Sequence, residues 1–332
     1  RYEQLDELRQ DILKLNEKFN RLERVKYPGN SFVIISGVAP ISTIEELNSA
    51  IDNANLARKS VKNSLKAACI IFDEELKMTL LKEAEITNDM EQALKNKEFV
   101  VYYQPKYKIN TNQLVGAEAL VRWRRNGNLI SPVEFIPIFE KNGFIVNVDF
   151  YVYEEVCKML HNRLKKRLPV IPISINVSRV HLNDEDFVNR FETLVDSYKI
   201  PHEYLELELT ETVLLDNTLV AIDIMQQFRK KGFSVSIDDF GSGYSSLNLL
   251  KDINTDILKI DKEFFSQGEM KREEKIIVSS IINMAKQLNM KVVSEGVKTK
   301  KQFEFLRSIG CDMAQGYLFS MPIPVTEFEA MI

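Results

Sequence analysis

From Phe99 onward, segments in which aliphatic and polar residues alternate recur along the chain with helical patterns between them, and this rhythm constrains the fold most. The segments are 99–107, 114–123, 170–177, 204–211, 233–239, 256–261, 291–297 and 313–319. In one, Leu205, Leu207 and Leu209 share a face, with Glu206, Glu208 and Thr210 on the other. Likewise Ile171, Ile173 and Ile175 oppose Pro172, Ser174 and Asn176, and Val235 and Ile237 oppose Ser234, Ser236 and Asp238. Side chains alternate across a strand, so one aliphatic face packs on helices while small and polar residues fill a narrow interior. An open parallel sheet, buried on both faces, would read more continuously hydrophobic. Helical patterns such as 216–231 and 271–289 separate the later strands. Strands alternating with helices imply a parallel sheet, and eight of them predict an α/β fold of the TIM-like (β/α)8 barrel type. The first pair differs: too few residues around Asn110-Thr111-Asn112 separate it for a parallel crossover, so an antiparallel first strand is expected.

Upstream, Leu5, Leu8, Ile12, Leu15, Phe19 and Leu22 mark an amphipathic helix over 2–24, broken at Pro28-Gly29-Asn30. A strand is expected over Ser31 to Ser36, then a helix opened by a capping box, Ser42 with Glu45, and running to Ser64. Cys69 to Phe72 reads as a second strand. The expected organisation is therefore a small N-terminal α/β segment over 1–72, a helical connector over 73–98 and a barrel over 85–332. A formal net charge of -4 argues against a partner such as duplex nucleic acid. The three cysteines are widely spaced and form no CxxC pair, which fits a reducing cytoplasm. The three histidines, His161, His181 and His202, show no HxH or HxxxH spacing, which disfavours a zinc hydrolase. No apolar run is long enough to span a bilayer, so no membrane segment is expected in this chain. The chain opens at Arg1 inside a helical pattern and reads as a fragment, leaving room for an upstream anchor or sensor.

Barrels of this kind place their chemistry at the C-terminal ends of the strands. There the interior face offers Glu118 with Arg122, Asn176, Glu208, Asp238-Asp239, Lys259 with Asp261, Glu295 and Gln315. Each alone reads as a cap or a rim charge, but consecutive strands repeat the pattern. Carboxylates converging this way repel one another without a cation, and an oxygen-rich set suits Mg²⁺ or Mn²⁺. The adjacent Asp238 and Asp239 can bring two metals close, as in phosphoryl displacement. Glu211, outward by alternation, reads either as a helix cap or as a brace for the 241–246 loop.

These residues resemble the EAL-domain family of cyclic di-GMP phosphodiesterases. The likeness rests on Glu118-Ala119-Leu120 with Arg122, Tyr103-Gln104-Pro105, Asn176-Val177-Ser178 and Glu208-Leu209-Thr210-Glu211. It continues through the run from Asp238 to Leu247, Lys259-Ile260-Asp261, Glu295-Gly296-Val297 and Gln315-Gly316-Tyr317. The resemblance implies metal-dependent hydrolysis of cyclic di-GMP to the linear dinucleotide 5'-pGpG, with a non-cleaving sensor of cyclic di-GMP as the alternative. It implies that Glu118, Asn176, Glu208 and Asp238 bind one metal, that Asp238 and Asp239 serve a second with Glu295 nearby, and that Ca²⁺ inhibits. Lys259 would orient the attacking water and Gln315 support the water network. Gln104, Leu120 and Arg122 would hold the dinucleotide, with Asp261 beside them. A homodimer through the barrel is expected, coupled to the 241–247 loop that Glu211 would hold through backbone N–H groups or Ser242. Lys298 departs from the pattern, standing where the family commonly has glutamate, and reads either as a cation that weakens the second metal's surroundings or as an exposed loop charge. Residues 1–72 resemble, more weakly, the second half of a GGDEF diguanylate cyclase domain, on Phe32 to Pro40, Ala57-Arg58 and Lys62. The Gly-Gly-[Asp/Glu]-Glu-Phe signature is absent, so no cyclase activity is expected.

Overall fold

Contacts within the chain divide it into two units, Arg1–Asn88 and Asp89–Ile332. The computed structural model describes residues 5–28, 33–61, 68–241, 250, 253–265 and 270–332. Ser31, Lys62 and the 242–247 part of the loop singled out above lie outside the described residues.

The first unit holds α1 (Leu5–Lys26), β1 (Ile35–Val38), α2 (Leu47–Ser60) and β2 (Ala68–Ile71), followed by α3 (Glu74–Lys95), within which the division falls. β1 and β2 pair in parallel, Ile35 opposite Ala68, with α2 as the crossover. At Gly37 a Cβ would lie 1.8 Å from the Ala54 carbonyl, so only glycine lets α2 approach β1 this closely. The expected Ser42–Glu45 capping box does not form. A 3-10 turn at Ile44–Glu46 comes first, and the Glu46 carboxylate accepts from the Ser42 N–H at 2.9 Å. That turn shifts the helix start, so Glu45 no longer stands three residues inside it.

In the second unit β3 (Phe99–Lys108) and β4 (Gln113–Arg125) form the expected antiparallel hairpin. β5 (Asn128–Ile130) extends it. β6 (Ile173–Asn176), β7 (Leu205–Thr210), β8 (Ser234–Phe240), β9 (Ile257–Ile260), β10 (Lys291–Ser294) and β11 (Met313–Gln315) then follow β4 side by side in parallel. β11 closes the ring by pairing antiparallel with β3. The result is a closed eight-stranded barrel in which only β3 runs against its neighbours. Leu205, Leu207 and Leu209 are all buried against helices, each contributing about 1.5–3 kcal/mol of burial.

Several strands are shorter than the alternation predicted, with coil residues at their ends that keep single backbone hydrogen bonds to the neighbouring strand, such as Ala117 N–H to the Pro172 carbonyl and Glu295 N–H to the Ile260 carbonyl. Residues 170–172 precede β6, and Glu295 follows β10. Glu211 is not an outward strand residue. It opens α7 (Glu211–Asp216), and Thr210 caps that helix by accepting from the Val213 N–H. The helix expected over 216–231 is α8 (Thr218–Lys230).

Candidate active site

The polar face of the strands points into the barrel, and at its rim the oxygens gather around one ammonium group. Lys259, 1% exposed on β9, places its Nζ 2.7 Å from Glu208 Oε2, 2.9 Å from Asp238 Oδ1, 2.7 Å from Glu295 Oε1 and 3.5 Å from Glu118 Oε2. The Asn176 amide donates to Glu118 Oε1 at 3.2 Å, and its backbone carbonyl accepts from the Tyr153 hydroxyl. Oxygens of Glu118, Glu208 and Asp238 lie within 4.8 Å of one another, as do those of Asp238, Asp239 and Glu295. The two groups share Asp238. A cavity of about 380 Å³ opens onto them, lined among others by Leu120, Asn176, Asp239 and Arg179.

Strict alternation would turn Asp238 and Asp239 to opposite faces. The pairing of β8 with β9 slips between Ile237 and Phe240, and Asp239 takes a left-handed backbone with φ of 52°. This bulge aims both carboxylates at the rim, and aspartate is among the few residues that tolerate the conformation. Gly241 follows with φ of 96°, packed so tightly that a Cβ would lie 2.1 Å from the Phe264 ring. Its N–H donates to Glu211 Oε2 at 2.7 Å. Glu211 is thus a buried partner of the loop's first residue.

The remaining candidates border this centre. Gln315 donates through Nε2 to Glu118 Oε2 at 2.6 Å and to Gln104 Oε1 at 2.9 Å, while the Gln104 amide donates to the Ser320 carbonyl. Arg122 sits half-buried, bonded to the Val121 carbonyl and facing the Tyr102 ring. Asp261 spends one oxygen capping a 3-10 turn at the Glu263 N–H and also bonds with Asp239. Lys298 is exposed, its N–H donating to Gln302.

Beneath the rim lie two charged residues that the sequence reading passed over, Lys106 and Glu206. Lys106 Nζ donates to Glu208 Oε1 at 2.9 Å, to Glu206 Oε1 at 3.3 Å and to Ser174 Oγ. The alternation carried the signal: Lys106 shares a face with Gln104, and Glu206 with Glu208.

Electrostatics differ sharply within the cluster. Burial pushes the Glu208 carboxyl up, but Lys106 and Lys259 outweigh it and bring the group down to about 2. Burial raises Glu118, Asp238 and Glu295 despite Lys259, with neighbouring carboxylates adding to the rise. Asp239 is pushed up to about 7 by burial, by the Asp238 charge and by its bond with Asp261. Burial works against the charge on Lys259, yet the surrounding carboxylates hold it well above its ordinary range. The rim therefore carries more potential negative charge than Lys259 can balance. Its all-oxygen donor set fits a hard divalent cation. Gln315 Oε1 fits too, being buried with no hydrogen-bond partner among the described residues and so free to accept from a water.

A profile described as the EAL domain matches residues 87–322. The bifunctional diguanylate cyclase/cyclic di-GMP phosphodiesterase MucR of Pseudomonas aeruginosa is 31% identical over 281 residues, 84% of this chain and 41% of that protein. The cyclic di-GMP phosphodiesterase NbdA of the same organism is 32% identical over 289 residues, 87% of this chain and 37% of that protein. The chain thus spans less than half the length of these curated relatives. Among solved structures, the MucR phosphodiesterase in complex with c-di-GMP superposes with a TM-score of 0.70 at 33% identity, covering 74% of this chain and 99% of that one.

Proposed function

The chain belongs to the EAL domain family, and from that membership we propose that its barrel hydrolyses cyclic di-GMP to linear 5'-pGpG using two divalent cations, Mg²⁺ or Mn²⁺. The observation that carries the reading is the pair of oxygen clusters sharing Asp238. Glu118, Asn176, Glu208 and Asp238 would hold one ion; Asp238 and Asp239 would hold the other, beside Glu295. Bound there, such ions polarise phosphoryl oxygens and lower the pKa of a water.

In the metal-free protein the surrounding carboxylates hold Lys259 well above its ordinary range, as an ammonium that can donate. It orients the attacking water and offsets charge developing on the phosphoryl oxygens. Glu295 aims Lys259 through their 2.7 Å contact. Gln104, Leu120, Arg122, Asp261 and Gln315 would hold the dinucleotide. The bond from the Gly241 N–H to Glu211 supports a role for Glu211 in fixing the loop after Asp239.

The same reading extends to the surroundings. Exposed Leu215 and Leu219 on α7 and α8 support a homodimer through the barrel. The parallel β1–α2–β2 unit supports a degenerate GGDEF-like segment. Three free, buried cysteines support a cytoplasmic setting. Among the described residues no helix is long and apolar enough to cross a membrane. Incubation with cyclic di-GMP and Mg²⁺ or Mn²⁺, followed by chromatography, tests the proposal. Linear dinucleotide is expected; binding without cleavage would make the barrel a sensor.

A further inference from the structure

The two oxygens of Glu208 are divided between two buried ammonium groups. Oε1 accepts from Lys106 and Oε2 from Lys259. The two lysines keep different company. The other partners of Lys259 are Glu118, Asp238 and Glu295, all in the oxygen clusters, so an entering cation competes with Lys259 for them. The other partners of Lys106 are Glu206 and Ser174, which belong to neither cluster. An ammonium has three protons, and Lys106 has three acceptors. Ser174 is fixed in turn, its hydroxyl donating to the Ala117 carbonyl at 3.3 Å. Lys106 is therefore fully satisfied, with two of its three acceptors, Glu206 and Ser174, holding it from below the rim.

We propose that Lys106 is a positioning residue that pins Glu208 Oε1 to the barrel floor, leaves Oε2 as the one oxygen for a cation, and thereby favours Mg²⁺ over Ca²⁺. The inference rests on the metal-site reading of the rim. Mg²⁺ demands near-octahedral ligands at about 2.0–2.1 Å, which a single carboxylate oxygen supplies without crowding. Ca²⁺ takes more oxygens at about 2.3–2.6 Å and gains from a carboxylate that offers both. Without the Lys106 ammonium, Glu208 is free to turn both oxygens upward, and the discrimination falls. The carbons of Lys106 fill the floor whether or not the charge is present, so a merely structural role predicts no change in ion preference.

The test is calorimetric titration of the full chain with Mg²⁺ and with Ca²⁺, without substrate, for wild type, Lys106→Met, Glu206→Gln and the Lys106→Met/Glu206→Gln double variant. Lys106→Met leaves Glu206 buried without its counter-charge and lowers stability. The double variant removes both charges and serves if the single one does not fold. The ratio of Ca²⁺ to Mg²⁺ affinity should rise about tenfold in each variant lacking Lys106, the scale typical of groups behind a metal ligand. Glu206→Gln alone should leave the ratio unchanged. An unchanged ratio in a folded variant without Lys106 overturns the proposal while leaving the metal site intact. Failure of the wild type to bind either ion overturns the metal-site reading and this inference with it.

Discussion

The floor and the rim of this barrel hold the same kinds of side chain in opposite balance. On the floor, Lys106 meets Glu206, one oxygen of Glu208 and a neutral hydroxyl, and every proton of the ammonium has an acceptor. At the rim, Lys259 faces Glu118, Glu208, Asp238 and Glu295, with Asp239 close by, and of these only Glu208 is also bonded to Lys106 among the described residues. A balanced buried network rigidifies a core, whereas an unbalanced one invites protons or cations. Floor and rim lie within a few residues of each other along the same strands. The same alternation thus builds a structural polar core below and a carboxylate-rich rim above. The difference is in the count of counter-charges.

The largest expected effect is at Glu118, a proposed metal ligand at the rim. Glu118→Ala should lower turnover by roughly 10³-fold or more, since a bound cation is worth several kcal/mol to phosphoryl chemistry. Near-wild-type turnover of the folded variant would remove Glu118 from the site. Lys259→Ala should cost roughly 10²–10³-fold in kcat with little change in KM, the scale of losing one electrostatic stabiliser. A change confined to KM would make Lys259 a phosphate-binding group.

The comparison can be broken through stability as well. Asp239→Asn keeps a residue type suited to the left-handed backbone while removing a crowded charge. In metal-free protein it should raise Tm by a few degrees, about 2–4 °C per kcal/mol for a domain of this size, while activity falls. Asp239 is raised to about 7, so the metal-free folded state holds its proton longer than the unfolded chain. That contribution is present below the ordinary carboxylate range and is lost as pH rises through about 7. Metal-free Tm should therefore fall between about pH 4 and 7 and level off above, and the gain on adding Mn²⁺ should grow over the same window. Thermal scans that show a pH-independent Mn²⁺ gain would place the negative charge elsewhere.

The smallest expected effect is at Glu211. Glu211→Gln exchanges a charged acceptor of the Gly241 N–H for a neutral one, a loss of about 1 kcal/mol. Specific activity should drop several-fold and recover in part as protein concentration rises through dimer formation. A flat concentration curve with full activity would leave Glu211 as packing alone.

Much of this was legible in the sequence because a strand's period is two. Leu205 to Thr210 announced which face is core and which is interior, and the short link at Asn110–Asn112 announced the antiparallel hairpin. Glu118, Glu208, Asp238 and Lys259 stand together where strand ends on one face must meet. What periodicity cannot carry is a break in period. The bulge that turns Asp239 inward depends on a register slip against β9. The inward turn of Glu211 depends on a helix starting one residue earlier than alternation implied. Lys106 and Glu206 obey the period but lie below the strand ends, two residues from Gln104 and Glu208 on the same faces, where a polar residue on one strand does not by itself mark a site. The Ser42 cap failed for a local reason, a 3-10 turn that moved its partner to Glu46.

Equilibrium titration of the purified chain with Mn²⁺, followed by the loss of the free-ion paramagnetic signal, tests the imbalance at the rim most directly. The account predicts saturable binding of two ions per chain in the wild type, with weakened binding in Glu118→Ala and in Asp239→Asn. No saturable binding by the folded wild-type protein would contradict it, and the rim would then be neutralised by protons alone.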